Sequence, residues 1–162
     1  MKRHTLFLLF MLVFPVLLNA QRVYHQTTDA GSMYPVMSIE NVITMYTISG
    51  TEMDRNMRNF TTIRDDFQDL GVAYTLQAKK NSGDGLCFIT KKPDAVEFVF
   101  TPGENALSLI TPLQKELEPF YIKDVQGNQV FSVDYEDGYT YIIILHIVPG
   151  EEYLRIYRKS TS

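Results

Sequence analysis

The chain has 162 residues, 15 Lys and Arg against 19 Asp and Glu, a formal net charge of −4 and 45% hydrophobic residues. That length suits one domain with a real core. The acidic balance argues against nucleic acid, which takes a basic stripe, and against docking on anionic lipid.

The first element is a leader. Lys2, Arg3 and His4 give a positive start, Leu6 to Leu18 is apolar apart from Pro15, and Ala20 puts a small residue before Gln21. A charged start, a short apolar run and a small residue at the cut define a secretory signal peptide. The run is too short for a membrane span, which takes ~20 residues. The expected working protein is exported, periplasmic or secreted, and begins at Gln21. It would carry 13 basic and 19 acidic residues, a balance of −6. Cys87 is the only cysteine, so no internal disulfide is available. Its setting in Leu86-Cys87-Phe88-Ile89 predicts a buried, inert thiol.

Residues 21–40 mix Thr, Asp, Gly, Ser and Pro without a period and read as an extended arm or linker. The domain proper is expected over 41–162. Two-residue alternation predicts a strand from Val42 to Ser49, broken by Gly50. Met53, Met57, Phe60, Ile63, Phe67 and Leu70 then recur at helical spacing. They predict an amphipathic helix with Thr51 as its cap, Asp54 three residues on and Gly71 at its end. Val72 to Lys79 and Leu86 to Thr90 read as strands around the turn Asn81-Ser82-Gly83-Asp84-Gly85.

Ala95 to Thr101 reads as another strand. A second helix is expected to start at Thr111 and Pro112, with Gln114 completing a capping box, Leu113 and Leu117 facing inward and Pro119 stopping it. Glu104 to Ile110 would form a separate helical turn against it. Phe120 to Gln126 and Gln129 to Tyr135 flank Gly127-Asn128, a hairpin signal. Tyr139 to Val148 is apolar on both faces around Ile142-Ile143-Ile144-Leu145, the mark of a central strand. Tyr153 to Arg158 is the last strand. The order predicts an α+β fold: a largely antiparallel sheet of about six to eight strands with two helices on one face. Val42 to Thr90 and Ala95 to Tyr135 each read strand-helix-strand-strand, a pattern for two related units without residue identity to support it.

Three functional readings stay open. The first is recognition. In the last strand Tyr153, Arg155 and Tyr157 alternate with Leu154 and Ile156. If the aliphatic pair faces the core, the tyrosines and the cation face outward, and Tyr and Arg suit recognition surfaces. This reading expects a non-enzymatic binding protein of the cell envelope, with a protein or glycan partner, no cofactor and no metal. The second is a hydrolase using carboxylates among Asp65, Asp66, Asp69, Asp134 and Asp137. Of these, Asp65, Asp66 and Asp69 also read as an acidic patch at the end of the first helix, with Arg55 and Arg58 near its start, the reverse of what a helix dipole favours. The third is copper carriage by Met33, Met37 and His25, since thioethers suit Cu(I). A Cys87–His146 dyad needs their strands to be neighbours. No nucleophile elbow, His-Glu-x-x-His or phosphate loop is present in the sequence.

Overall fold

The computed structural model describes residues 21–28, 31–63, 72–75, 87–100, 106–148 and 152–160. The expected leader, the aspartates Asp65, Asp66 and Asp69, and the turn expected at 81–85 lie outside them. The rest forms an α+β fold. Strands β1 (His25–Thr27) and β2 (Met33–Pro35) make a small antiparallel hairpin. Helices α1 (Ile39–Thr47) and α2 (Gly50–Asn56) follow, then β3 (Thr61–Ile63), β4 (Val72–Thr75), β5 (Cys87–Lys91) and β6 (Val96–Phe100). Helix α3 (Ala106–Leu117) runs into a 3₁₀ turn, Glu118–Phe120. Strands β7 (Tyr121–Val125), β8 (Asn128–Asp134), β9 (Thr140–His146) and β10 (Tyr153–Arg158) end the fold.

The strands from β3 on form one eight-stranded sheet in the order β3-β4-β5-β6-β10-β9-β8-β7, antiparallel throughout. Helix and four-strand meander therefore occur twice. The last strand of each set, β6 and β10, meets the other at the centre, with Arg155 opposite Glu97. This unit differs from the strand-helix-strand-strand pattern expected, because its first element is helical.

That element is a correction. Val42 to Ser49 was expected as a strand, but Ile39–Thr47 is a helix. The Ser38 side chain accepts from the Asn41 amide and starts it, and Glu40 lies in the first turn. Ile39, Val42, Ile43 and Met45 fit a helical stripe as well as they fit alternation, and in so short a window the cap decides.

The long helix from Met53 to Leu70 is also corrected. Ser49, not Thr51, caps α2, in a capping box with Glu52, and the helix ends at Asn56. The β-branched run Thr61-Thr62-Ile63 then pairs with β4. The stripe still marks the core, since Met53, Met57 and Phe60 are buried. With this short span Glu52 lies in the first turn and Arg55 in the last, so the dipole preference is obeyed rather than broken.

Residues 21–40, expected as an arm, hold the β1–β2 hairpin and send Val23, Tyr34 and Met37 into the core. Asn41, 1% exposed, ties the segment down. Its Oδ1 accepts from the Tyr24 amide at 2.8 Å, and its Nδ2 donates to the carbonyls of Tyr24 at 3.0 Å and Val36 at 2.7 Å.

In α3, Pro112 lies inside a continuous helix instead of starting one. Interior proline costs roughly 3 kcal/mol. Burial of Leu109, Ile110, Leu113 and Leu117 offsets it, at roughly 1.5–3 kcal/mol per side chain.

One core joins all these elements. Helices, hairpin and one sheet face contribute Met45, Met53, Cys87, Ile89, Phe98, Ile110, Leu113, Phe131, Tyr141, Ile143, Leu154 and Ile156 to a single cluster. Among the described residues no helix is long and apolar enough to cross a membrane.

Candidate functional site: the uncovered face of the sheet

Strand alternation divides the sheet residues between two faces. Leu154 and Ile156 are fully buried, while Tyr153, Arg155 and Tyr157 between them are half-exposed on the opposite face, as the last strand predicted. The same parity puts Phe88 and Thr90 of β5, Glu97 and Val99 of β6, and Ile142, Ile144 and His146 of β9 on that face. Register aligns them: Tyr153 lies opposite Val99 and His146, Tyr157 opposite Ile142, Arg155 opposite Glu97 and Ile144, and Val99 opposite Phe88. The three α-helices bury their apolar residues against the other face, so among the described residues no helix covers this one.

The centre of the surface is ionic. Lys92 Nζ lies 2.7 Å from Glu97 Oε2, and Arg155 Nε lies 3.5 Å from Glu97 Oε1. The Lys92 and Glu97 side chains keep only 24% and 17% of their exposure, so solvent reaches the pair poorly. Burial first, then the Glu97 charge, pushes the Tyr153 pKa up to about 12. Arg155 lies over the Tyr157 ring, 5.8 Å from its centre. A polar cluster ringed by Phe88, Val99, Tyr153, Tyr157, Ile142 and Ile144 has the composition of a recognition surface: aromatic and Arg anchors around charge already placed.

The β10 half of this surface was legible in the sequence; the β5–β6 half was missed. Its signal lay in Val96-Glu97-Phe98-Val99-Phe100, where Glu97 and Val99 alternate with buried neighbours. The other C-terminal tyrosines do not join it. Tyr141 is in the core, its hydroxyl donating to Asp137 Oδ2 at 2.6 Å. Tyr139 stacks under Arg158, at 4.3 Å. Tyr121 is exposed on edge strand β7.

The remaining candidates disperse. Asp65, Asp66 and Asp69 lie outside the described residues. Asp134 accepts from the Thr140 hydroxyl at 2.6 Å, and Asp137 from the Tyr139 amide at 3.0 Å as well as from Tyr141, so both carboxylates brace the β8–β9 turn. Met37 is buried in the core, and among the described residues no group of three His, Cys, Asp or Glu side chains could hold a metal. Cys87 points into the core, and burial raises its pKa far above the ordinary thiol range. His146 is on the uncovered face three strands away, with β6 and β10 between, so the dyad does not form. No family model, curated protein or solved structure matches the chain.

Proposed function

We propose that the protein is an exported, non-enzymatic binding domain of the cell envelope that takes a protein or glycan partner on the uncovered sheet face. One observation supports this above the rest: Tyr153, Arg155 and Tyr157 share a face with Phe88, Val99, Ile142 and Ile144, half-exposed or exposed, where no described helix packs. Apolar area of this kind on a soluble domain marks an interaction surface. The braced roles of Asp134 and Asp137 give the hydrolytic reading less support, and the burial of Met37 does the same for copper carriage.

Site-specific photocrosslinking in native cells tests it. A crosslinker at Tyr157 should trap a discrete adduct, and one at Leu107, exposed on α3 on the other side, should not. Equal labelling from both positions, or none from Tyr157, would refute the reading. Export is tested separately by intact mass of natively produced protein, expected to begin at Gln21.

A further inference from the structure

The geometry points to a second binding site, a cleft for a small phosphate-bearing anion between the N-terminal segment and the end of α2. The cleft has a volume of about 440 Å³, within the usual range for small-molecule sites. Its walls carry three arginines, Arg22 from the segment before β1 and Arg55 and Arg58 from the end of α2 and the residues after it. Among the described residues none of the three makes an ion pair within 4 Å.

Among the described residues the single carboxylate in the wall is Glu52. It is already committed: its Oε2 accepts from the Ser49 amide at 3.0 Å and the Ser49 hydroxyl at 2.9 Å, and these bonds, with a smaller contribution from the Arg55 charge, hold its pKa below the usual carboxylate range. Three guanidinium groups therefore face one engaged acid in a protein whose net charge is negative. The end of α2 accounts for a cation at Arg55, in its last turn. It does not account for Arg22, which arrives from a separate segment.

That segment is held in place. Asn56 Oδ1 accepts from the Val23 amide at 3.1 Å, while its Nδ2 donates to the Glu52 carbonyl at 2.8 Å. The cleft thus has a built wall, with Arg22 adjacent to the anchored Val23. Burial lowers the pKa of His25, which weakens it as a cation. The positive field comes from arginine, which stays protonated and whose planar fork matches phosphate oxygens two at a time.

Pyrophosphate is the probe, titrated into the full chain by calorimetry at constant ionic strength. Saturable binding is expected, weakened at least about tenfold by R55Q/R58Q and by R22Q, each guanidinium contributing one or more charge-assisted hydrogen bonds. K115Q, a change at an exposed lysine on α3, should leave it unaltered. All the substituted side chains are exposed, so the variants should keep the wild-type unfolding midpoint. Co-sedimentation with vesicles of four parts phosphatidylcholine to one part phosphatidylglycerol separates the two sources of phosphate. Arginine-dependent vesicle binding assigns a lipid headgroup; soluble binding without it assigns a free metabolite. Saturation by neither probe, or saturation indifferent to all three arginines, overturns the site. Neither result bears on the sheet face, which is tested at Tyr157.

Discussion

Lys91, the last residue of β5, donates from Nζ to the main-chain carbonyl of Tyr46 at 2.6 Å and to that of Met45 at 3.0 Å. A strand side chain thereby satisfies carbonyls at the end of α1, where no basic residue of the helix itself is available. Its stem is half-buried and its ammonium lies 5.8 Å from the centre of the Tyr46 ring. Lys91→Met keeps the apolar stem and removes the donor. It should lower stability by roughly 1.5–3 kcal/mol, the value of hydrogen bonds from a charged group. Urea unfolding should show a lower midpoint at unchanged slope; an unchanged midpoint would mean the contact contributes nothing.

Asn41 is the second polar residue on which the packing depends. Its amide serves both main-chain groups of Tyr24 and the carbonyl of Val36. Asn41→Ala leaves these without the partner they have, at a cost of about 2–4 kcal/mol. Amide exchange should quicken first at Tyr24 and Val36, before α3. Uniform quickening across the domain would place the effect elsewhere.

The β7–β8 turn holds a small reserve of strain. Gln126 and Gly127 have φ of 52° and 81°, as a type I′ turn requires. Gly127 takes this without cost and Gln126 does not. Gln126→Asn should raise stability by about 0.5–1 kcal/mol. Gly127→Ala should lower it by about 1 kcal/mol or more, for backbone reasons alone, since an added Cβ would meet only His146 Cε1 at 3.9 Å. Thermal unfolding of the two variants should move in opposite directions.

Tyr153 gives the uncovered face a pH signature. Its folded-state pKa is raised to about 12, by burial and then by Glu97. A group with a raised folded pKa contributes stability that is complete below its unfolded value, ~10 for tyrosine, and that is lost as pH climbs through the folded value. The loss therefore falls between pH 10 and about 12. Tyr153→Phe should flatten the fall in stability across that window, and Glu97→Gln should shift the Tyr153 titration down. Alkaline titration followed by tyrosinate absorbance reads both. A curve identical for wild type and Tyr153→Phe would contradict the raised pKa of Tyr153.

The sequence was most legible where one period and one turn signal agreed. In β8, β9 and β10 the alternation is clean and the glycines at 127 and 138 have the positive φ their turns need. Those strands formed as expected, and Tyr153, Arg155 and Tyr157 lie where alternation puts them. Legibility failed where two periods fit the same letters. Ile39 to Ile48 supports both, and a single hydroxyl at Ser38 decides the outcome. The stripe from Met53 identified Met53, Met57 and Phe60 as buried, but the helix it implied stops at Asn56 and 61–63 is a strand, because burial selects apolar side chains in helix, turn and strand alike. The β5–β6 half of the uncovered face was out of reach for another reason. Glu97 gains its meaning from Arg155, 58 positions later in sequence and directly opposite in the sheet.

Because β10 is inserted between β6 and β9, the sheet cannot close in the order the chain is made. Until Tyr153–Arg158 arrives, β3–β6 and β7–β9 are separate ribbons, each with an unpaired inner edge. Long-range pairing of this kind is slow. The final strand is thus the seam of the sheet: a chain shortened before Tyr153 would keep both ribbons but have no ladder to join them.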